Sequence, residues 1–146
     1  MIEINNRKAK YDYEILETIE AGIVLTGTEI KSIRLGNANL KDSYAIIKNN
    51  EVFLLGMHIS PYKEGNIFNH SECRTRKLLL HKKEILKLNN KIVLDGNTLV
   101  PIKLYFNKNK AKILLGLARG KKTYDKRQTI KQRDMEREIR KEFKNF

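Results

Sequence analysis

The chain has 146 residues, 30 Lys and Arg against 17 Asp and Glu, and a formal net charge of +13. That length suits one domain rather than two, and 40% hydrophobic residues suffice for a modest core and argue against wholesale disorder. A lone cysteine, Cys73, closes no intrachain disulfide, and no apolar run reaches the roughly 18–20 residues that span a bilayer.

The first residues lack the apolar core of a signal peptide, so the expectation is a soluble, cytoplasmic protein in a reducing compartment. An excess of cations this large, with a pI near 9.8, predicts an anionic partner, nucleic acid before membrane. A+T-rich coding bias explains lysine in place of arginine. It gives no reason for bases to outnumber acids.

Along the chain, Tyr11, Tyr13, Ile15 and Ile19 alternate with Asp12, Glu14 and Glu20, the period-two pattern of a half-buried strand. Residues 21–25 continue it, with Gly22 expected at a bulge or bend. Thr28 is expected to cap a short helix that Gly36 ends. Residues 45–48 and 51–55 flank Asn49-Asn50, which tolerates the left-handed backbone of a tight hairpin. The Pro, Gly and Asn content of residues 60–69 predicts a mobile loop.

Residues 72–88 read as a helix with Ser71 as N-cap, Leu78, Ile85 and Leu86 on one stripe, and Leu80 more exposed than Leu79. Strands are expected again at 92–94, 98–106 and 110–118, the last two joined by Asn107-Lys108-Asn109. Pro101, lacking an N–H, is expected at an edge or a strand start. The sum is a mainly β fold, an OB-fold-like antiparallel β-barrel with short helices over residues 1–118.

Composition shifts after Ala118. Residues 119–146 hold eleven Lys and Arg against five Asp and Glu, and from Thr129 onward Met135, Ile139 and Phe143 recur at i, i+4 and i+8 opposite a basic face. So narrow an apolar stripe predicts a C-terminal tail disordered when free and helical when its cations meet phosphate.

Catalytic chemistry finds little to work with. His58, His70, His81 and Cys73 are the usual base, nucleophile or soft-metal residues, and His70-Ser71-Glu72-Cys73 lacks the paired ligands of a structural zinc site. Neither a phosphate-cradling glycine loop nor a paired-carboxylate motif stands out, so no enzyme, metal or cofactor is expected. Cations beside aromatics are the stronger signal: Arg7, Lys8 and Lys10 lead into Tyr11 and Tyr13, where bases can stack while phosphates are neutralised. Arg74, Arg76 and Lys77, then Lys108, Lys110 and Lys112, extend the basic surface.

Certain words are distinctive, and they occur in order: Asn6-Arg7-Lys8-Ala9, Glu20-Ala21-Gly22-Ile23, Gly27-Thr28-Glu29-Ile30-Lys31-Ser32 and Asp42-Ser43-Tyr44. Arg74-Thr75-Arg76-Lys77-Leu78-Leu79-Leu80, Gly116-Leu117-Ala118-Arg119-Gly120-Lys121-Lys122 and Asp125-Lys126-Arg127 follow. From about Asn6 to the C-terminus the chain resembles the small protein B family, the SsrA-binding proteins. It departs at Ser71-Glu72, where many relatives have Asp-Pro, at Tyr124, where His is common, and at Met135, where Trp is frequent.

The resemblance implies an OB-type barrel that binds the tRNA-like domain of transfer-messenger RNA (tmRNA) and delivers it to stalled ribosomes for trans-translation. It places RNA-binding roles on Glu20, Leu79 and Lys112, to which the basic and aromatic pattern adds Arg7, Lys8, Tyr11, Arg76, Lys77 and Arg119. The tail is expected in the decoding centre and empty mRNA channel, through Lys121, Lys122, Tyr124, Asp125, Lys126 and Arg127, then Lys131, Arg133 and Arg137. Elongation factor Tu and alanyl-tRNA synthetase are implied as partners through the tmRNA complex. The alternatives are a generic OB-type or ribosome-associated RNA module without a tmRNA role, a membrane-surface protein using the basic tail, and a nuclease.

Overall fold

A computed structural model describes residues 2–63 and 69–120. The centre of the expected 60–69 loop lies outside them, as does the tail from Lys121 onward with its expected helix and ribosome contacts. Asn6 caps helix α1 (Arg7–Asp12), accepting from the Ala9 N–H and donating through its amide to Pro101 O at 2.9 Å. Tyr11 is therefore helical, and the expected strand begins only at Tyr13, as β2 (Tyr13–Ile23). Helix α2 (Gly27–Arg34) is capped by Thr26, not Thr28, in a reciprocal box with Glu29.

The short strand β1 (Glu3–Asn5) precedes α1, and β3 (Ala38–Asn39) pairs with β6 (His58–Ile59) in a small separate sheet. Between them runs the expected hairpin, β4 (Tyr44–Lys48) and β5 (Glu51–Leu55), turned by Asn49 and Asn50 at φ 53° and 61°.

Residues 72–88 are not one helix. Arg76–Leu79 form strand β7, and helix α3 (Lys82–Asp95) follows, stopped by Gly96 at φ 68°. The expected strand at 92–94 is the last turn of α3. Strands β8 (Thr98–Asn107) and β9 (Lys110–Gly120) complete the fold, joined at Lys108 and Asn109, both at positive φ. β9 runs two residues past the expected division at Ala118, pairing Arg119 with Glu14 and Gly120 with Tyr13.

Strand order is β1-β8-β4-β5-β7-β2-β9, and β8 also pairs with β9, so six antiparallel strands close into a ring with β1 added outside β8. The mainly β architecture is as expected, with six ring strands where an OB barrel has five. Bulges fall at Leu16, skipped between Ile15 and Glu17, and at Ile102, skipped between Pro101 and Lys103, rather than at Gly22. The second explains Pro101. It lies inside β8, not at an edge, where the irregular register spares its missing N–H.

The ring's interior is apolar, with Leu40, Leu54, Met57, Leu99, Ile113 and Leu115 fully buried. Two charges share that interior. Glu29 and Arg76 are both fully buried and paired at 2.6 Å. Arg74 adds bonds to both Glu29 oxygens at 3.1 and 2.5 Å, and Arg76 also donates to Met57 O at 2.7 Å. Burial alone pushes the Glu29 carboxyl up, but the bonds from Arg74, the Thr26 N–H and Arg76 outweigh it and hold it below the usual carboxylate range. The cluster ties the start of β7 to the cap of α2.

Candidate RNA interface

Strand register builds a surface row from residues far apart in sequence. Gly22 on β2 faces Leu79 on β7 to one side and Lys112 on β9 to the other. Lys112 in turn faces Tyr105 on β8, which faces Glu3 on β1. Opposed residues share a sheet face, so all five lie on the outside of the ring. Glu20, two residues before Gly22 on β2, shares that face.

Leu79 is 53% exposed, because β7 alternates strictly with Arg76 and Leu78 inward and Lys77 and Leu79 outward. Strand periodicity thus reverses the helical reading, which left Leu80 the more exposed. Gly22 leaves the row open at its middle, since a Cβ there would lie 3.3 Å from the Leu79 Cβ. One shallow depression is lined by Glu20, Gly22, Leu79, Leu80, Lys112 and the start of α3. A second, more apolar one continues past Leu79 to Val24, Ile30 and Lys110.

The depression is chemically mixed. Lys112 forms no salt bridge among the described residues, whereas Lys8, Lys77, Lys91 and Lys103 are paired with carboxylates. No carboxylate is bonded to its ammonium there, which leaves it open to phosphate, although Glu20 and Glu84 line the same depression. The Tyr105 hydroxyl donates to Glu20 Oε2, and the Lys103 ammonium stands 5.4 Å from the centre of the Tyr105 ring. Burial, then the Glu20 carboxylate, push the Tyr105 phenol up to about 12. Cation, aromatic edge, carboxylate and exposed leucine stand side by side.

The other sequence candidates divide. Lys77 is exposed on β7 beside Leu79, paired with Glu51 at 3.0 Å. Arg7, Lys8 and Tyr11 ride on α1, beside the strand end where Tyr13 meets Gly120. Lys8 bonds Asp42 there at 2.7 Å, and Arg119 pairs with Glu14. This is the opposite end of β2 from Gly22. Tyr13 packs against Ala9, Val100 and Ala118.

Arg76 corrects the expectation outright. It is fully buried against Glu29 and offers nothing to an outside ligand. Tyr105, which sequence reading passed over, belongs to the row, and Lys103, also passed over, stands two residues before it on β8. Around the zinc-like tetrapeptide, His70 bonds Thr28 at 2.9 Å and Glu72 bonds His58 at 3.0 Å. Among the described residues no three His, Cys, Asp or Glu gather as a metal site.

These features set the class: a small β module, a closed antiparallel ring with a chemically mixed, aromatic-edged shelf on its outer face. The family model described as SmpB protein matches residues 3–145. The chain belongs to the SmpB family.

It is 60% identical over 141 residues to the SsrA-binding protein of Ligilactobacillus salivarius (strain UCC118), covering 97% of this chain and 91% of the relative. It is 59% identical over 139 residues to that of Staphylococcus aureus (strain Newman), covering 95% and 90%. A solved chain described under "tmRNA-SmpB: a journey to the center of the bacterial ribosome" superposes with TM-score 0.71 at 47% identity, covering 97% of this chain and all of that one. No helix among the described residues is long and apolar enough to cross a membrane.

Proposed function

We propose that this chain is a non-catalytic adaptor of ribosome rescue. It binds the tRNA-like domain of tmRNA (SsrA RNA) and delivers it to stalled ribosomes in the cytoplasm, where incomplete peptides are tagged by trans-translation. The observation that carries the reading is the convergence of Glu20, Leu79 and Lys112 on one shelf, although nearly sixty residues separate the first two. Relatives named SsrA-binding proteins support it. Elongation factor Tu and alanyl-tRNA synthetase enter through the bound tmRNA.

On this reading Lys112 neutralises a phosphate, Leu79 offers an apolar surface to a sugar or base, and Glu20 accepts from an RNA hydroxyl or amine. Arg7, Lys8, Tyr11 and Arg119 form a second basic contact at the α1 end, and Lys77 flanks the shelf. The tail residues Lys121, Lys122, Tyr124, Asp125, Lys126, Arg127, Lys131, Arg133 and Arg137 serve the decoding centre and mRNA channel.

Competition tests the assignment. A tRNA-like tmRNA fragment should displace a generic hairpin of equal size at far lower concentration, and parity would reduce the chain to a generic RNA module. The salt dependence tests Lys112. Lys112→Ala should lower affinity about tenfold and make the slope of log K against log salt shallower by about 0.7–0.9, the signature of one lost phosphate contact. An unchanged slope would remove Lys112 from the phosphate path.

A further inference from the structure

A carboxylate on a phosphate-binding shelf is an electrostatic liability unless something uses it. Glu20 sits diagonally across from Lys112, two residues along β2 from Gly22, and both line the same depression. Its Oε2 is already taken by the Tyr105 hydroxyl. Tyr105 is held from the other side, with Lys103 over its ring and Lys103 ion-paired with Glu3 at 3.5 Å. The carboxylate is therefore oriented, with Oε1 left to accept. Only a donor can satisfy it, and RNA carries donors at base amines and at the ribose 2′-hydroxyl.

Diagonal neighbours on a sheet lie on the order of 7–8 Å apart at the backbone. The side chains of Glu20 and Lys112, which line one depression, are long enough to reach the sugar and the phosphate of a single nucleotide across that gap. A base amine lies farther from its own phosphate than the 2′-hydroxyl does. The hydroxyl is also the group that separates RNA from DNA.

Resting on the interface reading above, we infer that Tyr105 is a positioning residue of the RNA site: it locks Glu20 as the acceptor for a ribose 2′-hydroxyl whose adjacent phosphate lies on Lys112. The Tyr105 phenol, pushed up to about 12, stays protonated and donating throughout the neutral range. Tyr105→Phe keeps the ring and its Lys103 contact and removes only the donor.

The test is binding of the full-length chain to the tRNA-like RNA and to the same RNA carrying 2′-deoxy sugars along the contacted strand. The parent should bind the all-ribose RNA more tightly. Tyr105→Phe should weaken that binding about five- to tenfold and lose most of the preference for ribose. Its salt slope should stay at the parental value, because a neutral phenol touches no phosphate. The loss should not add to that of Glu20→Ala, and thermal unfolding should report a folded variant.

Parental affinity and ribose preference in Tyr105→Phe would overturn the inference alone, provided Glu20→Ala and Lys112→Ala still lose affinity. A loss that adds fully to that of Glu20→Ala would overturn it too. Parental binding by all three variants would remove the interface itself, and the inference with it.

Discussion

A chain ending at Gly120 should keep most of its affinity for tmRNA, within about tenfold of the parent, and should fail to support tagging on stalled ribosomes. Everything on the shelf precedes that stop, and β9 stays intact because Arg119 and Gly120 are still paired with Glu14 and Tyr13. What is lost is a segment with eleven Lys and Arg from Arg119 onward, less Arg119 itself. Those cations contribute to non-specific attraction, so the deficit in binding should shrink as salt rises. Tagging is read by appearance of the tagged product from a message lacking a stop codon. Equal loss of binding and tagging in a folded truncation would refute a division between gripping shelf and probing tail.

Glu29→Ala should be the most destabilising single change, at about 3–5 kcal/mol, because it leaves a fully buried guanidinium uncompensated. Against a total stability of about 5–15 kcal/mol for a domain, that loss is severe. Urea unfolding at neutral pH measures it, and a cost below about 1 kcal/mol would mean that the cluster contributes no more than an exposed ion pair.

The pH dependence has a definite sign. Glu29 has a folded pKa lowered from its ordinary 4.5, so its stabilisation is complete above that value and is lost as pH falls through the lowered one. The parent's advantage over Glu29→Ala should therefore narrow only in acid. Replacing Arg76 by Met and Glu29 by Leu together should cost less than either change alone, since no fully buried charge then remains unpaired and Arg74, which loses its carboxylate, is 31% exposed and reaches water.

The same buried pair explains where the sequence misled. Around Arg76 the polar residue points inward and Leu79 outward, the reverse of the rule by which hydrophobic periodicity is read. With Leu78-Leu79-Leu80 adding an unbroken apolar run, residues 72–88 look helical when half of them form a turn and a strand. Ile92, Val93 and Leu94 resemble a strand for a related reason. They are apolar and two are β-branched, yet Val93 and Leu94 are 72% and 80% exposed on the final turn of α3.

Local turn chemistry was readable. Asn49-Asn50 announced the β4–β5 hairpin, and Gly36 adopts positive φ just beyond the helix it was expected to end, whereas Gly96, which does the same for α3, went unread. The site was readable in part. Had Lys108-Asn109 been taken as a two-residue turn, Asn107 would face Lys110, and counting back along both strands would set Tyr105 against Lys112. The pairing of β2 with β7, which brings Leu79 to Gly22, has no such local clue. It depends on the closure of the whole ring and on a glycine that lets Leu79 approach.

Strand β9 carries Lys112 near one end and hands the chain onward from Gly120 at the other. Eight residues of extended backbone separate them, roughly 26 Å at the usual rise of a strand. Because β9 is hydrogen-bonded along both flanks, by β2 and by β8, that offset is a stiff ruler rather than a leash. An RNA seated at the first mark dictates where the second is, so the place from which the basic segment sets out is surveyed by the cargo before any ribosome is met.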